Sequence, residues 1–310
     1  MKKLFLSLSA LAIVSLLQAQ TNLKLNPEKN TSYHFQSVSS QDMTQTVNGM
    51  DQNTNTSSTT AFSIKMLDAT PAFMVMEARF DSIITRTNAM GRTSVINSGK
   101  EGNMASQEAA DVMTAVMNRL CKNPLFIKMD ATGKVIEIVN HSMLSDMVLK
   151  DTGLITGPAA PVLKTQVVNS VSPDALKPMI EAFTYNLPAR EVKAGDSWTH
   201  SSPVNSGGMN LVVQSDFSLE NITGTNAVVS AESSIKASEN AQPLNYGGAT
   251  INYNNLSGMG KSQLTVDSQT GLIKKSSARM HITGNLNVSA QGMNMQIPLV
   301  INSQSELTAL

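Results

Sequence analysis

Ser106-Gln-Glu-Ala-Ala-Asp-Val-Met-Thr-Ala-Val-Met-Asn-Arg-Leu-Cys121 decides how this chain is read, because it is the clearest amphipathic helix in a sequence otherwise patterned as strands. Its apolar residues Ala109, Val112, Met113, Val116, Met117 and Leu120 follow the i, i+3, i+4, i+7 spacing that aligns one helical face. Ser106 offers an N-cap and Glu108 puts negative charge in the first turn. Arg119 and Lys122 put positive charge near the last turn, and Pro124 blocks continuation. Such a helix needs an apolar surface to cover, and the flanking strand-rich segments supply one.

Before the helix, residues 31–48 alternate loosely and end in Asn48-Gly49, a hairpin signal. The chain returns through 54–68 with Phe62, Ile64 and Met66 on one face. A third run, 72–87, sets Met74, Met76, Ala78 and Phe80 opposite Glu77, Arg79 and Asp81. Fifteen residues of strand span about 50 Å at ~3.3 Å each, and twist makes so long a sheet curl. Residues 88–105 are turn-rich. After the helix, 125–140 form a hairpin with the turn Asp130-Ala-Thr-Gly133, and 141–150 a short helix ended by Gly153. Gly157 to Pro161 break the chain, and Ser172-Pro173 open a further helix running to about Tyr185, with Pro178 placed to kink it. From Leu187 the pattern returns to strands, at 211–219, 227–237, 250–267, 272–288 and 293–307. In the last, Pro298 on the polar face predicts an edge strand.

These elements predict an α+β protein: a long, curved, half-barrel-like antiparallel sheet with the central helices packed on its concave face. Residues 1–19 read as a secretory signal peptide cleaved after Ala19. Residues 20–310 read as one strand-rich domain of two halves: strands at 20–105, helices and a hairpin at 106–185, strands at 186–310. No later stretch reaches the ~20 apolar residues of a membrane-spanning helix. The expectation is an exported protein, periplasmic or secreted.

Charge excludes one partner class: 23 Lys+Arg balance 23 Asp+Glu, which gives nucleic acid no basic surface. Cys121 is the only cysteine, so no intramolecular disulfide forms. It falls at a helix C-terminus, where the macrodipole disfavours a thiolate. The four histidines (His34, His141, His200, His281) are scattered, and no spacing suits a metal; no cofactor or metal is expected. Asp130 and Asp267 open similar turns, Asp-Ala-Thr-Gly and Asp-Ser-Gln-Thr-Gly, in which the carboxylate caps its own turn. Trp198 reads as a core residue aimed by a turn that Asp196 caps.

The string Leu187-Pro-Ala-Arg-Glu-Val-Lys-Ala-Gly-Asp-Ser-Trp198, together with the Asp-x-x-Thr-Gly hairpin before the closing strands, resembles a family of uncharacterised exported bacterial proteins. The order of long strands, inserted helices and more long strands is similar to the half-barrel of the outer-membrane lipoprotein carrier. That likeness implies an architecture, and fold alone does not fix function.

The feature with chemical content is methionine, of which there are 19 beside only 4% aromatics. Flexible thioethers either fill a core short of rings or suit a surface that adapts to varied apolar guests. The resulting expectation is a non-enzymatic envelope protein that binds a lipid-like or other apolar ligand between sheet and helices. Met74, Met76, Met293, Met295 and Ile297 would line the sheet side, and Val112, Val116 and Leu120 the helix side. The alternative is a structural or protein-interaction module that meets an envelope partner through its Ser-, Thr- and Asn-rich faces.

Overall fold

The computed structural model describes residues 20–206, 209–239, 241–246, 248–290 and 292–310. The expected signal peptide and its cleavage after Ala19 lie outside them. In chain order the elements are β1 (Thr21–Leu23), β2 (Ser32–Val47), β3 (Met50–Ala69), β4 (Met74–Ala89) and β5 (Arg92–Asn97). Next come α1 (Ala109–Lys122), β6 (Leu125–Met129), β7 (Val135–Ile138), α2 (His141–Val148), α3 (Ala160–Ser170) and α4 (Pro173–Thr184). The second half holds β8 (Arg190–Val192), β9 (Ser197–Ser206), β10 (Met209–Thr223), β11 (Asn226–Ala237), β12 (Leu244–Tyr246), β13 (Ala249–Asn252), β14 (Ser257–Asp267), β15 (Ile273–Ala290) and β16 (Met293–Ala309).

Both halves build one curved, unclosed antiparallel sheet in the order β7-β6-β4-β3-β2-β16-β15-β14-β11-β10-β9, with β5 beside the far part of β4. The last strand therefore sits in the middle, joined to β15 on one side and β2 on the other, rather than at an edge. Pro298 is tolerated because the β2 ladder begins one residue later, at Leu299. The Asn48-Gly49 turn has both residues at positive φ, 51° and 76°, as a two-residue hairpin requires. The same device at Met90-Gly91 makes β5, which a reading of 88–105 as turns alone overlooks. The predicted break at Gly157–Pro161 is instead the start of α3, with proline in its first turn.

One face of the sheet carries the core at the end where β2 begins, called here the near end. Phe35, Phe62 and Phe80 lie side by side on β2, β3 and β4. Phe183 of α4 stacks on Phe62 with ring centroids 4.5 Å apart. α1 covers β4 and β5 with Val112, Val116 and Leu120, all fully buried. Thr114 Oγ1 accepts the Asn97 N–H at 3.2 Å, and Asn118 Nδ2 donates to the Ser98 carbonyl at 2.8 Å, so the buried polar groups of α1 tie it to the end of β5. Ser106 does not cap this helix directly. Glu108 is the capping position, and Ser106 Oγ accepts its N–H.

α4 packs against both β7 and β9, the two terminal strands of the sheet order. Ser172 Oγ accepts the Ala175 N–H at its start. On the β7 side, Glu181 accepts the Val135 N–H at 2.9 Å, Lys177 donates to the Ile136 carbonyl at 2.8 Å and Thr184 Oγ1 to the Gly133 carbonyl at 2.7 Å. On the β9 side, Trp198 Nε1 donates to the Asn186 carbonyl and His200 Nε2 meets the Leu187 carbonyl at 2.8 Å. The two Asp turns complete the arrangement. The Leu25 N–H donates to Ala131 and the Asn26 N–H to Thr270, both at 2.8 Å, so one N-terminal segment is held by both turns. Their glycines admit no side chain: a Cβ on Gly133 would lie 2.0 Å from the Thr184 carbonyl oxygen, and one on Gly271 2.2 Å from that of Lys24.

Gly133→Ala and Gly271→Ala are each expected to cost about 3 kcal/mol or more, through backbone overlap added to strain at positive φ. Gly49→Ala, where nothing lies within 4 Å, should cost only about 1 kcal/mol of strain. Urea unfolding midpoints check the contrast; equal losses at all three positions would show that turn strain alone is at work.

Candidate functional site

Strand alternation and register assign each residue of the long strands to a face. The inward face changes character twice along the strands. At the near end it is apolar and closed by α1 and α4: Met74, Met76, Val112, Val116 and Leu120 all belong to this core, with Met74 at 7% exposure and the other four at 0%. They pack on one another. Trp198 joins them, stacked on Phe217 at 5.6 Å.

Beyond the helices the inward face turns to hydroxyls. Ser37 and Ser39 of β2, Ser303 and Ser305 of β16, and Ser262 of β14 are half-buried positions on that face. Cross-strand hydroxyl pairs reinforce the belt: Ser58 with Thr85 at 3.0 Å, Thr56 with Thr87 at 3.2 Å, and Ser215 with Ser233 at 2.8 Å.

Past the belt lies a second apolar cluster: Leu211, Ile235, Tyr253, Leu256, Ile282, Leu286, Leu299 and Ile301. It is roofed by the excursion between β11 and β14, where Tyr253 is fully buried and its hydroxyl accepts the Asn210 N–H at 3.0 Å. Gly284 lets Leu256 come this close, since a Cβ there would sit 2.8 Å from the Leu256 side chain. The rim is only partly buried and includes Met43, Met209, Val213, Ile251, Val288 and Ile297.

The expected lining set is therefore divided. Ile297 packs on the second cluster, not on the helix-covered core. Met293 and Met295 continue the same face beyond it and are 66% and 44% exposed, so they do not meet Val112, Val116 or Leu120. The M-x-M pattern gives a shared face; it does not say how far along the strand the cover extends. The second cluster is hidden in the sequence because 250–267 looks like one strand. In fact it breaks at Tyr253–Leu256 into β13 and β14, and β13 crosses to pair with β15.

The outward face is polar. Across β2, β16, β15 and β14 it forms an open groove of about 1020 Å³. Asp42, Lys261, Arg279, His281, Gln304 and Glu306 are among its lining residues. His281 Nδ1 lies 2.7 Å from Asn302 Oδ1, and Lys261 pairs with Glu232 at 2.9 Å.

Three titratable groups with displaced pKa values, Glu181, Tyr185 and His200, sit where α4 bridges the sheet edges. Burial pulls His200 below its ordinary value, against the opposing effects of the Leu187 carbonyl and the Asp130 charge; its ring stacks on Tyr185 at 4.2 Å. Burial pushes Glu181 above the usual carboxylate value. Burial likewise raises the Cys121 thiol, the opposite of what an activated nucleophile needs. Asp130 and Asp267 cap their own turns, with Asp130 Oδ1 taking the Thr132 N–H at 2.8 Å and Asp267 Oδ1 the Gln269 N–H at 2.9 Å. Among the described residues no three His, Cys, Asp or Glu side chains stand together as metal ligands, and no helix is long and apolar enough to cross a membrane.

The stretch 72–273, which holds the helices, both Asp turns and half of the second cluster, matches the family model described as "Family of unknown function (DUF6263)". The chain belongs to this family. No curated protein matches this DUF6263 chain in sequence. Among solved structures, lipovitellin ("lipid-protein interactions in lipovitellin") is similar at 10% identity with a TM-score of 0.44. The likeness covers 91% of this chain and spans only 25% of lipovitellin. OccK11 (OpdR) of Pseudomonas aeruginosa matches at 7% identity and a TM-score of 0.21, covering 91% of this chain and 98% of its own. A DUF1329 family protein from Desulfovibrio piger matches at 8% identity and a TM-score of 0.12, covering 86% and 83%. None of these three reaches a TM-score of 0.5, so they establish neither a shared fold nor a shared activity for this DUF6263 chain.

The environment of His200 sets a pH dependence. Its folded pKa is depressed below the unfolded value of about 6.5, so folding favours the neutral ring. Its contribution is complete above the unfolded value and is lost as pH falls from there through the folded pKa. Unfolding midpoints measured from pH 7.5 to 5 should decline, and His200→Gln should flatten that part of the slope. An unchanged slope in the variant would exclude His200 as its source.

Proposed function

We propose that this DUF6263 protein is a non-enzymatic component of the cell envelope that holds a lipid-like or otherwise apolar ligand inside its half-barrel. The observation that carries the reading is the second apolar cluster: a patch on the inward face whose rim is only partly covered. It lies beyond the reach of the helices and adjoins a belt of hydroxyls. An elongated amphiphile fits that sequence of surfaces, its apolar part on Leu286, Leu299 and Ile301 and its polar end on the serines of the belt. Methionines at the rim, Met43 and Met209, supply flexible apolar surface for chains of differing shape. The ligand site moves, in this reading, from beneath α1 to the open half of the sheet, because the residues under α1 already fill one another's space. The basic start and apolar run of residues 1–17 support export, and the strand-helix-strand order is similar to that of the lipoprotein carrier half-barrel. The polar groove on the outward face favours a second reading, a module that meets another envelope protein there.

Native mass spectrometry of the protein isolated gently from its own envelope, followed by extraction of whatever is released, tests the proposal. A near one-to-one apolar molecule is expected. Val213→Glu, which places a charge on the partly buried rim, should lower occupancy about tenfold or more while shifting the unfolding midpoint little. A bare mass for the native protein, with one stoichiometric protein partner in its place, would replace the carrier with the interaction module.

A further inference from the structure

At the near end the turns between β3 and β4, β10 and β11, and β14 and β15 hold no methionine in residues 70–73, 224–225 and 268–272. The opposite, far end is different. The hairpins β2–β3, β4–β5, β9–β10, β12–β13 and β15–β16 all turn there, and all but β12–β13 carry a methionine beside glycine: Asn48-Gly-Met50, Met90-Gly91, Gly207-Gly-Met209 and Gln291-Gly-Met293. Met50, Met90 and Met293 are 67%, 76% and 66% exposed, among the most exposed large apolar residues described. Met209 is half-buried on the rim of the second cluster. In the stretches 45–52, 88–94, 205–211 and 288–296 the only charges are Asp51 and Arg92, which balance; the rest is Asn, Gln, Ser, Thr, Gly and apolar residues.

We propose that the far end of the half-barrel docks on an electrically neutral lipid surface, with the hairpin methionines Met50, Met90 and Met293 inserted individually among the headgroups. The arrangement favours lipid over a protein partner. Each exposed methionine stands on its own hairpin, separated from the next by amide and hydroxyl side chains, whereas a protein interface buries a contiguous apolar centre. A fluid interface takes up separate apolar side chains one by one, each gaining from its own burial. The absence of net charge at the tips points to zwitterionic headgroups, since anionic lipids are recruited by clustered Lys and Arg. The second cluster lies on the halves of the strands that run to the docking end. Resting on the carrier reading, this places the ligand's site on the bilayer side of the sheet.

Flotation with vesicles of pure phosphatidylcholine tests the inference on the protein as isolated. The native protein should float with them equally at low and high salt. The triple variant Met50→Gln, Met90→Gln, Met293→Gln should partition about tenfold less or weaker still. Met259→Gln removes an equally bare methionine, 73% exposed, from the outward face away from the tips, and should leave flotation unchanged. The idea is overturned if the native protein stays in solution, if it binds only phosphatidylglycerol vesicles in a salt-sensitive way, or if the triple variant floats like the native protein. Ligand occupancy of the same variants, read by native mass spectrometry, separates the two proposals. Retained ligand with no flotation removes the docking surface alone. Flotation with no ligand in the native protein removes the carrier alone.

Discussion

An antiparallel sheet that curls without closing has two free edges, and everything else in this molecule depends on how those edges are held. Edge strands expose unpaired N–H and C=O groups and invite pairing with other chains. Here β7 and β9 are the terminal strands, and α4 with the segment that follows it spans from one to the other. Side chains stand in for the missing strand on the β7 side, where Glu181 takes the Val135 N–H and Lys177 reaches the Ile136 carbonyl. On the β9 side the backbone of Asn186 and Leu187 receives Trp198 and His200. Burying Glu181 and His200 to do this is what displaces their pKa values, so part of the pH sensitivity of the fold follows from the way its edges are sealed.

The strand pair β1–β8 and the two Asp turns lock the same end. Asp130-Ala-Thr-Gly133 and Asp267-Ser-Gln-Thr-Gly271 are alike in sequence and also in what they hold. Each turn offers a carbonyl to the segment at Leu25 and Asn26, and each glycine permits a backbone approach that any side chain would prevent. Seal and lock are confined to the near end. The far halves of the strands are held by their ladders and by the small roof around Tyr253. That asymmetry leaves the second apolar cluster with an incomplete cover.

Much of this architecture is legible in the sequence because the signals are local. The period of α1, the Asn48-Gly49 turn, the serine-proline start of α4 and the self-capping aspartates each depend on a few neighbouring residues. Alternation within β16 correctly puts Met293, Met295, Ile297, Leu299 and Ile301 on one face. What lies over a face is a long-range property. Met74 and Met295 have the same local pattern, yet the first is buried in the main core and the second is 44% exposed. The central place of β16 depends likewise on β2, more than 250 residues earlier in sequence. Nothing near Pro298 discloses that pairing. α3 is hard to see in the sequence because Val162-Leu-Lys-Thr-Gln-Val-Val168 is rich in β-branched residues, and its weakly one-sided pattern is settled by burial of Leu163 and Val167 against neighbours.

The change of chemistry along the inward face connects these points to function. A sheet needed only as a scaffold would carry apolar residues as far as its helices reach and polar ones thereafter, since uncovered apolar surface gains nothing from exposure. Here the serine and threonine belt marks the limit of the helices. Apolar residues then resume on five strands in register: Leu211 on β10, Ile235 on β11, Ile282 and Leu286 on β15, Leu299 and Ile301 on β16, and Met43 on β2. The roof at Tyr253 and Leu256 offsets part of that cost by burying the middle of the patch. It leaves the Met43, Val213 and Ile297 rim half-covered, and an apolar guest drawn from a lipid surface would complete the burial that the chain itself leaves unfinished.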